Sequence, residues 1–202
     1  ALSHLAYQVN GDQLENLMKE LYRKRNRLRH LMKNPDGLTC MDTRARKALG
    51  LGNKDTKESL LEGVSSNTGG IDKKALKCAV KILQKGSIQD QDQAQKIGSW
   101  LNMEPTQRAV HFKNIYVPAF ITGEGTIKKR LITKKSRETS PNTLSTLEAE
   151  GNRVFLVFEK LKAVAIAEAT QSLLVFGTAL INAYEDIKAS RALLDYDDLI
   201  EK

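Results

Sequence analysis

Cysteine, proline and aromatic residues are scarce in this sequence of 202 residues. It holds two Cys, four Pro, one Trp, five Tyr and five Phe. Two cysteines exclude the disulfide framework that stabilises small secreted proteins, and nothing suggests secretion. A composition with 41% hydrophobic and 28% charged residues but few aromatics favours helices packed through aliphatic side chains over a strand-rich sandwich.

The sequence also lacks an uninterrupted apolar run of the roughly 18 residues that span a bilayer. We therefore expect a soluble chain with no membrane partner. Its length suits one mid-sized domain or two small ones, and it is too short for a helicase motor or a multidomain enzyme.

Motifs for nucleotide hydrolysis, metal binding and catalysis are missing as well. Glycine clusters at 50–54 and 123–125 have neither the spacing of a phosphate loop nor the Lys-Ser/Thr that follows it. The three histidines and two cysteines are scattered without paired ligand spacing. Asp195, Asp197 and Asp198 are expected to cap and begin a helix, with a Mg²⁺ site as the less favoured alternative. We expect no catalytic, cofactor-binding or metal-binding residue in this chain.

The spacing of apolar residues predicts an all-α fold, an irregular helical domain with one long C-terminal helix. Helical spacing is nearly unbroken from Pro141 to Ser190, with Gly151 and Gly177 as bends or points of close contact. Pro118 is expected to end the helix before it, and Asp72 to cap another. Shorter helices are predicted over 12–33, 41–49, 56–63, 72–85, 92–103 and 105–117.

Two other stretches depart from the helical pattern. Residues 120–133 are predicted to form a short loop or hairpin around Gly123-Glu124-Gly125, and 134–142 a polar, basic and mobile segment. The chain begins with Ala1 rather than Met, and Leu193–Lys202 is typical of a helix start that stops in mid-pattern. We expect a piece excised from a longer protein.

The net charge of +8 is unevenly distributed. Residues 1–147 hold 26 Lys+Arg against 14 Asp+Glu, whereas residues 148–202 hold 6 against 10. Such an asymmetry suits a chain whose first part lies near a polyanion and whose last part packs on protein, although unequal solvated surfaces produce it too.

The densest basic cluster lies in residues 128–137, ten residues without an acid. Cations on flexible side chains contact phosphates without reading bases, so the cluster predicts a sequence-independent contact with a nucleic-acid backbone. A solvated loop is the alternative interpretation. A weaker cluster spans 23–29. The predicted DNA-binding residues are Lys128, Lys129, Arg130, Lys134, Lys135, Arg137, Arg23 and Arg27.

Two segments resemble bacterial AddA subunits, the helicase-nuclease chains of the AddAB double-strand-break repair complex. They are Ala119–Lys134 and the Leu17–Leu31 region with its Glu-Leu-Tyr-Arg-Lys-Arg string. A third, Leu180–Lys188 followed by Leu194–Ile200, is similar to the stretch that leads UvrD-like helicases back into the first motor domain, just before the Walker B box. The Thr-Gly-Glu-Gly and Leu-Ile-Thr-Lys strings narrow the resemblance to AddA.

The resemblance implies that residues 1–190 form a helical accessory subdomain that contacts DNA, and that 191–202 begin the return into the RecA-like motor domain. The parent would be an ATP- and Mg-dependent DNA helicase and exonuclease of the bacterial cytoplasm. Its partners would be DNA, the remaining domains of the parent chain and an AddB-type subunit.

This chain departs from the AddA pattern because the phosphate loop, the Walker B box, the arginine finger and the nuclease carboxylates are absent. We expect that it alone neither hydrolyses ATP nor cuts DNA. The alternative function is a protein-protein interaction module of a multisubunit complex, in which the long helix docks a partner and no DNA is contacted.

Overall fold

The computed structural model describes residues 11–33, 36–66 and 70–194. It confirms the predicted all-α class and the long C-terminal helix. Within the described residues the β structure is one antiparallel bridge between Ile121 and Ile127, where a short loop or hairpin was expected. The helix predicted to start at Asp195, with the neighbouring Asp197 and Asp198, lies outside the described residues.

The described residues contain ten α-helices and one π-helical segment, Phe112–Tyr116. The helices are α1 (Gly11–Arg23), α2 (Arg25–Met32), α3 (Gly37–Ala48), α4 (Lys57–Ser65), α5 (Lys73–Leu83), α6 (Ile88–Asn102), α7 (Pro105–His111), α8 (Val117–Phe120), α9 (Lys134–Thr139) and α10 (Pro141–Ser190).

These helices group into two compact units. Unit 1 takes its described residues from Ala1–Asn53 and Ala165–Lys202, and unit 2 is Lys54–Val164. Helix α10 belongs to both, since its first part packs in unit 2 and its last part in unit 1. The predicted subdomain limit at residue 190 stays a prediction.

Side-chain caps mark the starts of three helices of unit 2. Asp72 caps α5, as predicted. Thr56 and Ser59 form a capping box at α4, and Ser87 and Asp90 form another at α6, in which each side chain accepts a backbone N–H of the other end. The second box starts α6 four residues before the start predicted from the apolar spacing.

Three local predictions were wrong. The helix expected over 12–33 is interrupted at Lys24, although neither Gly nor Pro marks the break. Pro118 does not end its helix, because it occupies the first turn of α8, where a missing N–H breaks no hydrogen bond. Residues 134–139, expected to be mobile, form α9.

Aromatic rings fill the core of unit 2. Trp100 of α6 stacks on Tyr116 with ring centroids 3.8 Å apart, and Phe120 meets Tyr116 edge to face at 5.3 Å. The Tyr116 hydroxyl donates to Glu150 of α10 at 2.6 Å, and Arg153 donates two hydrogen bonds to the same carboxylate. Burial, followed by the charge of Glu150, raises the pKa of Tyr116 well above its ordinary value. These contacts fix the first half of α10 to the aromatic core.

Aliphatic side chains and one aromatic ring form the core of unit 1. Leu21 of α1 and Leu28 of α2 pack on Phe176 and Ile181 of α10. A Cβ at Gly177 would lie 3.2 Å from Leu21 and 3.3 Å from Leu28, so this glycine lets the helices approach closely. The prediction that Gly177 is a point of close contact is therefore confirmed.

Helix α10 contains an 18-residue window with a mean hydropathy of 1.6 and at most two charged residues, and 28% of that window is buried. By length and composition alone it is long and apolar enough to cross a membrane, although the sequence has no uninterrupted apolar run of that length. Core helices of soluble proteins meet the same criterion, so the finding is weak support for a span.

Candidate nucleic-acid interface

Five predicted phosphate contacts lie on one exposed segment of unit 2, between the Ile121–Ile127 bridge and the end of α9. Two precede α9 and three lie on it, and all five are exposed. We call residues 129–137 the basic segment. Its exposed cations are Lys129, Arg130, Lys134, Lys135 and Arg137.

Lys128, the sixth residue of the predicted cluster, is engaged with the protein itself. Its Nζ donates to the carbonyl of Pro118 at 2.7 Å, and its backbone N–H donates to the carbonyl of Phe120 at 2.8 Å. Burial, followed by the nearby charge of Lys96, lowers the pKa of Lys128. Lys128 therefore fixes the start of the basic segment to α8, and its role as a phosphate contact stays a prediction.

Apolar side chains hold the middle of the basic segment against the core. Leu131 and Ile132 are both buried and belong to the same cluster as the aromatic rings. Arg130 before them and Lys134 after them are exposed. Exposed cations thus lie on both sides of one pair of buried aliphatic residues.

A buried carboxylate holds the second half of the segment in place. Asp90 Oδ1 accepts the backbone N–H of Thr133 at 2.9 Å, while its Oδ2 accepts the hydroxyls of Thr133 at 2.5 Å and Ser136 at 2.8 Å. Thr133 is the N-cap residue of α9 and Ser136 lies in its first turn. One side chain from the start of α6 therefore positions the start of α9, whose lysines and arginine are exposed.

Asp90 is charged at neutral pH although only 2% of its surface is exposed. Burial by itself raises the pKa of a carboxyl group, but hydrogen bonds from Thr133, Ser136 and Ser87 outweigh burial here and lower the pKa of Asp90 below its ordinary value. Each of these donors favours the carboxylate over the carboxylic acid. These hydrogen bonds offset the free-energy cost of burying the charge of Asp90.

Gly86 leaves the space that Asp90 and Ser136 occupy. A Cβ built at Gly86 would lie 2.4 Å from Asp90 Oδ2 and 2.5 Å from the Ser136 hydroxyl oxygen. Both atoms are buried and hydrogen-bonded to each other, so neither can move aside without breaking the anchor. The position therefore requires glycine for reasons of space.

The other predicted phosphate contacts, Arg23 and Arg27, lie on α1 and α2 in unit 1. Both are exposed, and Arg23 pairs with Glu20 at 2.8 Å. Their neighbour Arg29 pairs with Glu185 of α10. The structure thus brings five of the eight predicted residues onto one segment of unit 2 and places two in unit 1.

A shallow cavity of about 280 Å³ lies beside the basic segment. Its lining includes Lys128 and Lys129 together with Glu148 and Asn152 from α10. Glu148 offsets part of the positive charge of the two lysines, so the cavity is less suited to phosphate than the exposed cations are. Contact with a polyanion would therefore use the exposed surface of the segment.

Within the described ranges, no three or more His, Cys, Asp or Glu side chains are grouped so that they could hold a metal ion. No protein-family model, curated protein or solved structure matches the chain.

Sequence reasoning found the cations of this site but missed its anchor. Ser87 is followed three residues later by an acid, a spacing typical of a capping box at a helix start. The capping role of Asp90 could therefore have been predicted from the sequence. The bonds from Asp90 to Thr133 and Ser136 join residues more than 40 positions apart. No local pattern indicates such a pairing.

We predict that Gly86→Ala lowers the free energy of unfolding by about 2 kcal/mol, because the new methyl group overlaps Asp90 and Ser136 and costs as much as other forced overpacking. Gly63→Ala is the matched control. Gly63 lies inside α4 with open space around its Cα, so alanine there should stabilise the protein by about 0.5–1 kcal/mol. Urea unfolding of the two variants measures both effects, and equal stability of the two variants would contradict the account of Gly86.

We predict that Asp90→Asn destabilises the protein at pH 7 by about 1–3 kcal/mol, because hydrogen bonds to a buried charge are lost. Because folding lowers the pKa of Asp90, its contribution is present above the ordinary value of 3.8 and is lost as the pH falls below it. The difference between wild type and variant should therefore shrink between pH 5 and pH 3, as unfolding curves will show. Asp92→Asn, at an exposed position of the same helix, should have little effect at either pH.

Proposed function

We propose that this chain is a DNA-contacting accessory domain of an AddA-type helicase-nuclease, and that it binds the phosphate backbone without reading sequence. One observation carries the proposal. The basic segment presents five exposed cations without an intervening acid, and a buried aspartate holds the segment in one conformation. Exposed cations held on a fixed frame lose less conformational freedom on binding than cations on a mobile loop.

The chemistry of the basic segment supports phosphates rather than bases as its ligand. Lys and Arg side chains supply point charges and forked donors that match phosphate oxygens. The segment has no aromatic residue on which a base could stack. Binding to such a surface is expected to be salt-sensitive and similar for all sequences.

The resemblance of Ala119–Lys134 and Leu17–Leu31 to AddA, and of Leu180–Lys188 and Leu194–Ile200 to UvrD-like helicases, supports the parent assignment. On this proposal the parent is an ATP- and Mg-dependent helicase and exonuclease of the bacterial cytoplasm that repairs double-strand breaks. DNA, the remaining domains of its chain and an AddB-type subunit are its partners. Residues 129–134 of the basic segment lie inside Ala119–Lys134, so the stretch that resembles AddA most specifically also carries part of the proposed contact.

A second candidate function is a protein-protein interaction module without DNA contact. It is favoured by the large apolar side chains that α10 leaves exposed, among them Leu156, Ile166 and Val175. In this alternative the basic segment keeps the surface soluble, and the partner covers α10.

We predict that changing Lys129, Arg130, Lys134, Lys135 and Arg137 together to Gln weakens the binding of a short DNA duplex. Each phosphate contact contributes about 0.9 to the slope of log K against log salt concentration, so the slope should become shallower by about 3 or more. Fluorescence anisotropy of a labelled duplex at several salt concentrations measures it. Two duplexes of different sequence should bind the wild type equally.

The matched control changes five exposed lysines outside the segment, so that the net charge falls by the same amount. These are Lys74, Lys77, Lys81, Lys85 and Lys113. If the basic segment is the contact, this control keeps most of the wild-type slope. Equal loss of slope in the two variants would show that net charge alone drives the binding and would exclude the segment as the site.

A further inference from the structure

One face of helix α5 carries exposed lysines in a line. Lys74, Lys77 and Lys81 lie on the helix at three- and four-residue spacing, and Lys85 follows two residues beyond its end. Side chains at this spacing are neighbours on one side of a helix. The opposite side is buried in the core of unit 2. We call Lys74, Lys77, Lys81 and Lys85 the lysine row.

The lysine row has no acidic residue near it in the sequence. Residues 73–89 contain five Lys and no Asp or Glu. Asp72, just before them, is the N-cap residue of α5, and its carboxylate accepts the backbone N–H of Ala75 at 2.9 Å. Among the residues that the structure describes, no acid forms an ion pair with a lysine of the row.

Other helices pair exposed lysines with acids one turn away. Lys19 pairs with Glu15 on α1 at 2.6 Å, and Lys96 pairs with Asp92 on α6 at 2.5 Å. Like charges at the same spacing slightly destabilise a helix. The lysine row therefore keeps its charge at a cost in stability, and this charge is available to an external anion.

A neighbouring side chain is affected by the charge of the row. Burial, followed by the charges of Arg108 and Lys77, lowers the pKa of Lys73, while Glu104 acts in the opposite direction. Each of the two positive charges has a larger effect on Lys73 than Glu104 has. The potential at this surface of α5 is therefore positive.

The residues among the lysines favour a protein over a phosphate backbone as the anion. Cys78 is exposed between Lys77 and Lys81, and Ala75 and Ile82 of the same helix are half-buried. The alkyl stems of the lysines add further apolar surface. A partner helix covers such atoms with its own side chains while its carboxylates pair with the ammonium groups, as at the flanks of coiled coils. The row also contains no arginine, whose forked donors match phosphate best.

An anionic membrane is a poorer match for the lysine row. Helices that bind a membrane surface insert large apolar side chains beside their cations. On α5, Leu76, Val80 and Leu83 are buried and Ile82 is half-buried, so no large apolar side chain of this helix is exposed. The cations also form a line along one helix rather than a plane.

We propose that the lysine row is a docking surface for an acidic α-helix of a partner protein. The partner presents carboxylates at the same three- and four-residue spacing, so that they meet the ammonium groups along a line about 16 Å long. Exposed ion pairs are individually weak, so the association is salt-sensitive and depends on aligning several charges. The inference does not depend on the proposed function, since the row lies outside the basic segment.

The first test compares two synthetic helical peptides of identical composition. The aligned peptide carries four glutamates on one face at the spacing of the row, and the permuted peptide carries them spread around the helix. We expect the unaltered protein to bind the aligned peptide about fivefold more tightly at low salt, as measured by fluorescence anisotropy. Equal affinity for the two peptides, or no binding of either, would overturn the proposal.

The second test neutralises the row. Changing its four lysines together to Gln should weaken binding of the aligned peptide about tenfold, because several ion pairs are lost. The matched control changes Lys129, Arg130, Lys134 and Lys135 to Gln, which removes the same charge from unit 2 and should largely preserve peptide binding. Equal loss in the two variants would show that net charge alone attracts the peptide.

Carbodiimide crosslinking of the unaltered protein locates the contact without any substitution. The reagent couples a lysine amine to a glutamate carboxylate that it touches, and mass spectrometry of the digested product identifies the lysine. We expect the aligned peptide to be linked to lysines of the row. Links confined to lysines elsewhere in the chain would contradict the assignment.

Duplex DNA and vesicles that contain an anionic lipid distinguish the possible anions. If the row variant loses affinity for either of them and the aligned peptide does not bind, the row has another ligand and the proposal is wrong. The same measurements separate this inference from the proposed function. Unchanged duplex binding by the basic-segment variant, with peptide binding lost only in the row variant, would remove the proposed function and leave the docking surface standing.

Discussion

The carboxylate of Asp90 is the interaction on which the proposed interface depends. It closes the capping box at the start of α6 and accepts hydrogen bonds from Thr133 and Ser136 at the start of α9. Because the group is buried, it must be either fully hydrogen-bonded or protonated, and its donors keep it charged. The anchor converts a lysine- and arginine-rich stretch, which would otherwise be free to move, into a short helix with a fixed position on unit 2.

The rest of unit 2 supplies the rigid base that such an anchor needs. Trp100 and Tyr116 stack in the core, and Tyr116 is joined through Glu150 to Arg153 on α10. Leu131 and Ile132 connect the basic segment to this same cluster. Buried hydrogen bonds of this kind specify one arrangement of the core, because any other arrangement leaves polar atoms without partners. Buried and half-buried residues therefore set the geometry of the surface that carries the cations of the basic segment.

Sequence patterns were sufficient for the fold class and for much of the local structure. The helical spacing from Pro141 to Ser190 and the cap at Asp72 can be read directly, since both depend on neighbours within one or two turns. The cluster of cations at 128–137 is equally visible in the sequence.

The features that the sequence does not predict depend on contacts between residues far apart in the chain. In the sequence Lys128 is one more cation of the cluster. In the structure its ammonium group donates to the carbonyl of Pro118, so it is not among the exposed cations.

The same reasoning explains why α9 was missed. A six-residue helix with four charged residues has little intrinsic stability, so its sequence alone predicts a mobile segment. Its stability comes from Asp90, which lies more than 40 residues earlier. Gly86 belongs to the same arrangement, because Asp90 and Ser136 together occupy the space that a side chain at this position would need. The sequence alone does not show that these two residues meet there.

The central claim is that the basic segment is a preformed surface for a phosphate backbone. Amide hydrogen exchange of the 202-residue chain, followed with and without a short DNA duplex at low salt, tests it most directly. The account predicts that the amides of α9 are already protected in the free protein, and that residues 129–137 gain further protection when the duplex is added. Rapid exchange of α9 in the free protein, or protection by DNA confined to other parts of the chain, would contradict it.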